Sequence, residues 1–522
     1  MIDDLQISAL TGPSVIALLV GLGIVECAGA SRRFRNNGFM TLSATCLSLG
    51  LWFINARFLT QIARWSLACS LFAGGWGLRA APIELAEIEN WEPLWASSGV
   101  QQKETAQGRI FRVASPSGLR ETMANHARPG DNLLMADGTW VDSDLVFEGN
   151  GEPGKPITLR AETPGGVRLT GQSHLRIGGS HLLVEGLYFK DGYSEGRAVI
   201  EFRTARFGEA EHCRLTRTVI ENYNPPDGRT SYHWIALHGK HNRIDHNRLI
   251  GMNHAGRMIT AYLGGEPNYH RIDHNHFGPR TTRDPALRQS GGAIIMIGHS
   301  FTSMTNSRAL VENNLFEECS GHGEIISNKS NENVYRRNTF FASAGALTLR
   351  HGNRCVVLEN VFRGHGKPGT GGVRIINAGH RIENNYFEGL TGRGWTPPLG
   401  IMSGQETGAI HEYFPTRDSY IGHNTFVDCQ APVVILGLGA ERPNLSEPPR
   451  NLHFANNRFI GRYGPVFEIR AEPLNTRWEN NLVSGTETGM EAREGLRATD
   501  AVPPRKTPPT QAAGASWYRS PQ

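Results

Sequence analysis

Along most of its length the chain repeats one short phrase: an apolar residue, two polar ones usually including Asn, then an apolar or aromatic pair. It reads IDHNRL at Ile244–Leu249, IDHNHF at Ile272–Phe277 and VENNLF at Val311–Phe316, and recurs in versions ending at Phe340, Phe362, Phe387, Phe426, Phe459 and Val483. VEGLYF (Val184–Phe189) and AEHCRL (Ala210–Leu215) look like degenerate copies. The repeated Asn stands at 247, 275, 314, 338, 360, 385, 424, 457 and 481, with smallest spacings of 22, 24 and 25 residues. Units of that length, built from short β-branched runs without a 3.6-residue period, predict one turn of a β-solenoid each. The Leu-x-x-Leu-x-Leu frame of leucine-rich repeats is missing. The fold class expected is therefore all-β: a single-stranded right-handed parallel β-helix. Identical amides one rung (~4.8 Å) apart can hydrogen-bond along its axis, so the nine Asn predict a ladder.

The flanks differ from this body. Gly118–Arg128 predicts an amphipathic helix, the N-terminal cap that an open solenoid end needs. Three apolar runs, Val15–Val25, Met40–Ile54 and Trp65–Leu78, are each shorter than the ~18 residues of a spanning helix. The last follows Arg57 and Arg64 and precedes Arg79-Ala80-Ala81-Pro82, the order of a signal peptide, though deep in the chain; a true start at Met40 would shorten it. The organisation expected is an apolar leader over 1–82, a linker over 83–109, the β-helix over 110–490 and a Pro-rich disordered tail over 491–522. Export to the periplasm or medium is expected, with membrane anchoring through the N-terminal segment as the rival.

Composition adds less. A formal charge of +4 is too small to argue for nucleic acid, but only seven of 53 basic residues are Lys. Arg binds carboxylates bidentately, so an acidic ligand is compatible with this bias, as is a GC-rich genome. Cys213, Cys319, Cys355 and Cys429 are widely spaced with no metal pattern, and are expected to be buried free thiols.

Three consecutive coils carry candidate chemistry: Gly323–Lys329 (GEIISNK), Leu347–Gly352 (LTLRHG) and Val373–Ile376 (VRII). Alternation buries Leu347, Leu349, Val373 and Ile375 and turns Thr348, Arg350 and Arg374 outward. Lys329, Arg350 and Arg374 are 21 and 24 residues apart, about one coil each, so three cations are expected to stack on one face. A uronic-acid polymer loses its C5 proton only when its carboxylate is neutralised. A base must then take the proton while an acid assists the C4 oxygen. A partly desolvated Lys beside a fixed Arg has a lowered pKa and can serve as that base. A solvated surface pair would look the same in sequence.

The runs EIISNKS (Glu324–Ser330), NVYRRNTF (Asn333–Phe340), ALTLRHGNR (Ala346–Arg354) and GGVRIINAGHRIENNYFEG (Gly371–Gly389) resemble polysaccharide lyase family 6, which holds alginate lyases and chondroitinase B. PGDNLLMADGTW, GKPITLRAETPGGVRLTG and IDHNHFGPR add to the resemblance, which covers roughly residues 110–485. It implies Lys329 as base and Arg350 as acid, with Arg374, His351, His380 and Asn328 toward the substrate. It also implies Ca²⁺ held by an Asn before a Gly-Gly pair and by a Glu-x-Glu. Here those positions read Ser290 before Gly291-Gly292, and His322-Gly323-Glu324. Two of three ligands are substituted, leaving Glu324 as a remnant, and Ca²⁺ wants six or more oxygens. No required cofactor is therefore expected, with His322 as imidazolium neutralising the substrate carboxylate instead.

The resemblance thus implies a lyase for an acidic polysaccharide, mannuronate-containing alginate, giving 4,5-unsaturated products; a monomer is expected. A glycosaminoglycan lyase and a non-catalytic polysaccharide-binding β-helix are the alternatives. A pectinase-like glycosidase would need a carboxylate pair at fixed separation, and no outward pair stands in adjacent coils.

Overall fold

The computed structural model describes residues 81–99, 108–227, 229–281, 292–500 and 513–519. Nearly all of the expected leader, and Ser290, lie outside these residues. Each coil contributes three short strands, and like strands of successive coils pair in parallel into three long sheets. This is the right-handed parallel β-helix expected. Only Arg203–Thr204 and Gly208–Glu211 pair antiparallel among the described strands.

The repeated phrase explains the stacking. In each copy the residue before the ladder Asn turns the chain between the first and third sheets, with φ between 52° and 56° from His246 to Asn480. Short polar side chains tolerate this left-handed conformation best. The following Asn points inward, is buried, and donates to the Asn of the next coil. Asn247 reaches Asn275, Asn338 reaches Asn360 and Asn385 reaches Asn424, each at 3.0 Å, and the ladder runs unbroken to Asn481. Two residues further on, Phe277, Phe316, Phe340, Phe362, Phe387, Phe426 and Phe459 stack with centroids 4.4–5.0 Å apart. Cys213, Cys319, Cys355 and Cys429 are free and buried.

The N-terminal side holds two short helices, α1 (Leu85–Glu89) and α2 (Glu92–Ala96), within the segment expected as a linker. They run as a strap across the rungs of the first sheet. Glu84 pairs with Arg381, Glu87 with Arg354 and Glu92 with Arg336, and Trp95 Nε1 donates to Arg308 O at 2.7 Å. Ile83, Ile88, Trp91 and Trp95 bury there against Leu310, Val334 and Val356. Helix α3 (Pro116–Asn125) is the expected cap; it is N-capped by Ser115, buries Leu119 and packs on the strand Asp144–Asn150. Beyond 490, Leu496–Thr499 adds a last strand to the third sheet. Residues 513–519 return to that sheet's early coils, where Trp517 meets Tyr188 and donates to Arg217 O at 2.7 Å. Among the described residues no helix is long and apolar enough to cross a membrane.

Candidate active site

The second sheet places the candidate chemistry. Its outward row runs Thr260, Met296, Ser327, Thr348, Arg374 through in-register pairs. Lys329 and Arg350 stand outside that row. A bulge after Asn328 pairs Lys329 with His351 and leaves Arg350 as the extra residue. A bulged residue is re-aimed, so the three cations form an oblique cluster instead of the in-register column expected. Arg374 stacks on Thr348, two residues short of Arg350, against which the coil spacing would set it.

Glu324 gathers this cluster. Its Oε1 accepts from Arg374 Nη2 at 2.6 Å and from Arg350 Nη1 at 3.3 Å. Burial opposes ionisation of its carboxyl, but Arg374 and then Arg350 hold the pKa down at about 2. Arg374 is nearly buried, donates also to Trp395 O at 3.1 Å and lies 5.5 Å from the Trp395 ring. Arg350 remains half-exposed, its guanidinium 5.7 Å from the Tyr413 ring. Lys329 is pulled down to about 8 by burial, then by Arg350 and Arg257, with Glu324 opposing. Its Nζ lies 3.3 Å from Ser300 Oγ. Cations thus outnumber carboxylates around an amine that deprotonates readily.

Other expected contacts are displaced. Asn328 is fully buried and faces inward, donating to Ser330 O and His351 O and accepting from Asn333 and Tyr335. It follows Ile326 by two and so shares its inward face; it anchors the turn after Lys329 and does not reach substrate. His380 is also fully buried, accepting from Cys355 N–H at Nδ1 and bonded to Ile376 O through Nε2. Both ring nitrogens are spent on backbone, which removes it from substrate binding. His351 is buried beside Tyr413 with its Nδ1 unpartnered, and burial, then Arg350 and Lys329, push its pKa to about 3. It is a neutral ring at the site's edge.

His322 accepts the Glu324 N–H at Nδ1, 3.0 Å away. An imidazolium has no lone pair to accept with, so the ring is neutral and the imidazolium expected above is excluded in this geometry; burial lowers its pKa accordingly. The same contacts answer whether Ca²⁺ fits. Glu324 Oε1 is taken by two guanidinium groups and His322 Nδ1 by a backbone donor. Among the described residues no three His, Cys, Asp or Glu converge on a metal position. The donor set does not suit a cation.

Two cations were not singled out in the sequence. Arg257 precedes the strand Ile259–Ala261 by two residues, as Glu324 precedes Ile326, and its charge acts on Lys329. Arg280 is buried with no carboxylate partner among the described residues, donating to His254 O and Gly256 O while its Nε and Nη1 make no hydrogen bond. Alternation would turn Arg257 inward with Ile259, and it reaches the site only because Met258 and Ile259 are both in the core and break the period. Arg280 carries no periodic signal.

The family model for chondroitinase B matches residues 113–501. The family 6 alginate lyase AlyGC is 37% identical, with a TM-score of 0.74, over 79% of this chain and 59% of its own. The chain therefore spans about 59% of that relative's length. A mannuronic-acid-specific family 6 lyase from human gut microbiota is 32% identical, with a TM-score of 0.69, over 78% of this chain and 97% of its own. The family 6 lyase Pedsa3628 from Pseudopedobacter saltans is 25% identical, with a TM-score of 0.64, over 78% and 100%. Comparison with curated proteins returns no match.

Proposed function

This chain belongs to the chondroitinase B family, the polysaccharide lyases of family 6, and on that premise we propose that it cleaves mannuronate-containing alginate by β-elimination. The observation that carries the reading is Lys329, desolvated and facing Arg350 and Arg257, with a pKa near 8. A uronate entering this cluster brings a carboxylate to guanidinium groups that a single glutamate leaves under-neutralised. Pairing withdraws charge from the carboxylate and stabilises the enolate-like state at C5. Neutral Lys329 takes the C5 proton. The electron pair forms the C4–C5 double bond as the C4–O bond breaks, and Arg350 donates an N–H toward the departing oxygen as its charge develops. Arg374 is tied to Glu324 and positions the pair. The mannuronate preference is supported by the gut-microbial relative, which matches over nearly its whole length. The reading includes export, which rests on the apolar N-terminal runs.

The test is the ultraviolet absorbance of the unsaturated uronate on mixing the protein with poly-mannuronate, poly-guluronate and dermatan sulfate, with Lys329→Ala as control. The expected result is absorbance on poly-mannuronate that the variant abolishes. The family model's own name makes a chondroitin-type glycosaminoglycan, here dermatan sulfate, the second substrate class to try. Turnover surviving in Lys329→Ala would sink the mechanism.

A further inference from the structure

The catalytic pair stands at one end of its groove. Leu237, Ala261, Ile297 and Asn328 are register partners in successive coils. The side chains that follow them climb the coils about one rung (~4.8 Å) apart: His238, Tyr262 and Lys329 come directly after, and His299 one residue later, past Gly298. The rings touch. His238 and Tyr262 stack at 4.2 Å with planes 5° apart, and Tyr262 meets His299 at 4.8 Å. Beside the row opens a cavity of about 630 Å³ whose lining includes Tyr262, His233, Arg197, Arg203, Glu201 and Glu209. Its cations and carboxylates balance, unlike the cluster at Lys329. Mixed donors and acceptors around the half-exposed Tyr262 ring suit hydroxyl-rich sugars, with exposed Arg197 facing a carboxylate while Arg203 is held by Glu201 at 2.7 Å.

On the other side the outer face is filled. The rung after Arg374 carries Gly400, where a Cβ would lie 3.0 Å from Leu438 Cδ2 and 3.5 Å from Arg374 Cγ. Beyond it Ile435 points outward yet is fully buried, with Ile376, Met402, Leu438 and Leu445, under Trp395 and Tyr413. Those two rings are the ones that touch Arg374 and Arg350.

We propose that the enzyme holds its polymer on one side of the scissile bond: the His299–Tyr262–His238 row and its cavity bind distal sugars, and the Trp395 wall limits the other side to a few units. The enzyme then trims short products from a chain end. This rests on the lyase reading above and adds its mode of action.

Size-resolved products of poly-mannuronate at the earliest turnover, with kcat/KM measured against oligomer length, test it. Mono- to trisaccharides should dominate from the start. Tyr262→Ala should lower kcat/KM about tenfold on oligomers long enough to reach the row, leave the shortest cleavable oligomer unchanged, and be rescued by Tyr262→Phe. An even ladder of sizes at first turnover would overturn the proposal, as would a Tyr262→Ala loss equal at every length. Absence of unsaturated product from any polyuronate would remove the parent reading and this one with it.

Discussion

Arg374 donates to Glu324 across 2.6 Å with both side chains nearly buried, so the one carboxylate among these cations is committed to a positioning arginine. Glu324 also raises the pKa of Lys329 against the cations around it. Glu324→Gln keeps the shape and removes the charge. The acid limb of the pH–rate profile should then move below its wild-type midpoint near 8, while Tm falls because Arg374 is left buried and unpaired, a loss of about 3–5 kcal/mol. Its carboxyl titrates near 2 when folded, below the unfolded ~4.3. The native pair's contribution is therefore complete above about pH 4.3 and lost as pH falls through about 2. A pH–rate limb that stayed in place would show that Glu324 is remote from the base.

Chelation supplies an independent check of the same carboxylate. Because both guanidinium groups converge on Glu324 Oε1, EDTA should leave the rate unchanged within about twofold, and added Ca²⁺ should not raise it. Loss of activity on chelation and recovery with Ca²⁺ would mean the Arg contacts give way to metal.

The base itself sets the pH dependence. Activity should rise through about pH 8 as Lys329 deprotonates, then level off. Lys329→Met should lose about 10³-fold or more in kcat. The folded pKa lies below the usual ~10.4, so the unfolded chain binds the extra proton between about 8 and 10.4 and wild-type stability rises with pH across that window. Below it the penalty is fully present. Lys329→Met should therefore be more stable at pH 7, by about 1–2 kcal/mol after allowance for solvent, as urea unfolding would report.

Much of this was legible in sequence because a solenoid writes its geometry once per coil. The Asn of each phrase predicts its own ladder, and the coil spacing brings Lys329 and Arg350 to adjacent rungs. What escaped depends on events that do not repeat. The bulge after Asn328 re-aims Arg350 and breaks the column. The family resemblance set Asn328 and His380 toward the substrate, although each satisfies its polar atoms inside the fold. The strap at 84–98 looked like a linker because its partners, Arg308 to Arg381, lie more than 200 residues away.

That strap should be structural. Trp95 is fully buried against Leu310, Val334 and Val356 and donates to Arg308 O. Trp95→Ala should cost about 3–5 kcal/mol, read as a lower urea midpoint, with kcat on the folded protein unchanged because the strap covers the first sheet and the site stands on the second.

The ladder offers the sharpest stability test. Asn338 accepts from both the backbone and the side chain of Asn314, and donates to Val311 O and Asn360 Oδ1. All four contacts are buried. Asn338→Ala strands the Asn314 N–H, its amide and the Val311 carbonyl at once, and each orphaned group costs about 1–3 kcal/mol. A loss of about 3 kcal/mol or more is expected, well above that of an exposed Asn such as Asn475→Ala. Asn338→Asp would keep the acceptor for Asn314 but place an unpaired charge in the core, so it should be worse than Ala near neutral pH. Equal, small losses for Asn338→Ala and Asn475→Ala would mean the amides merely fill space.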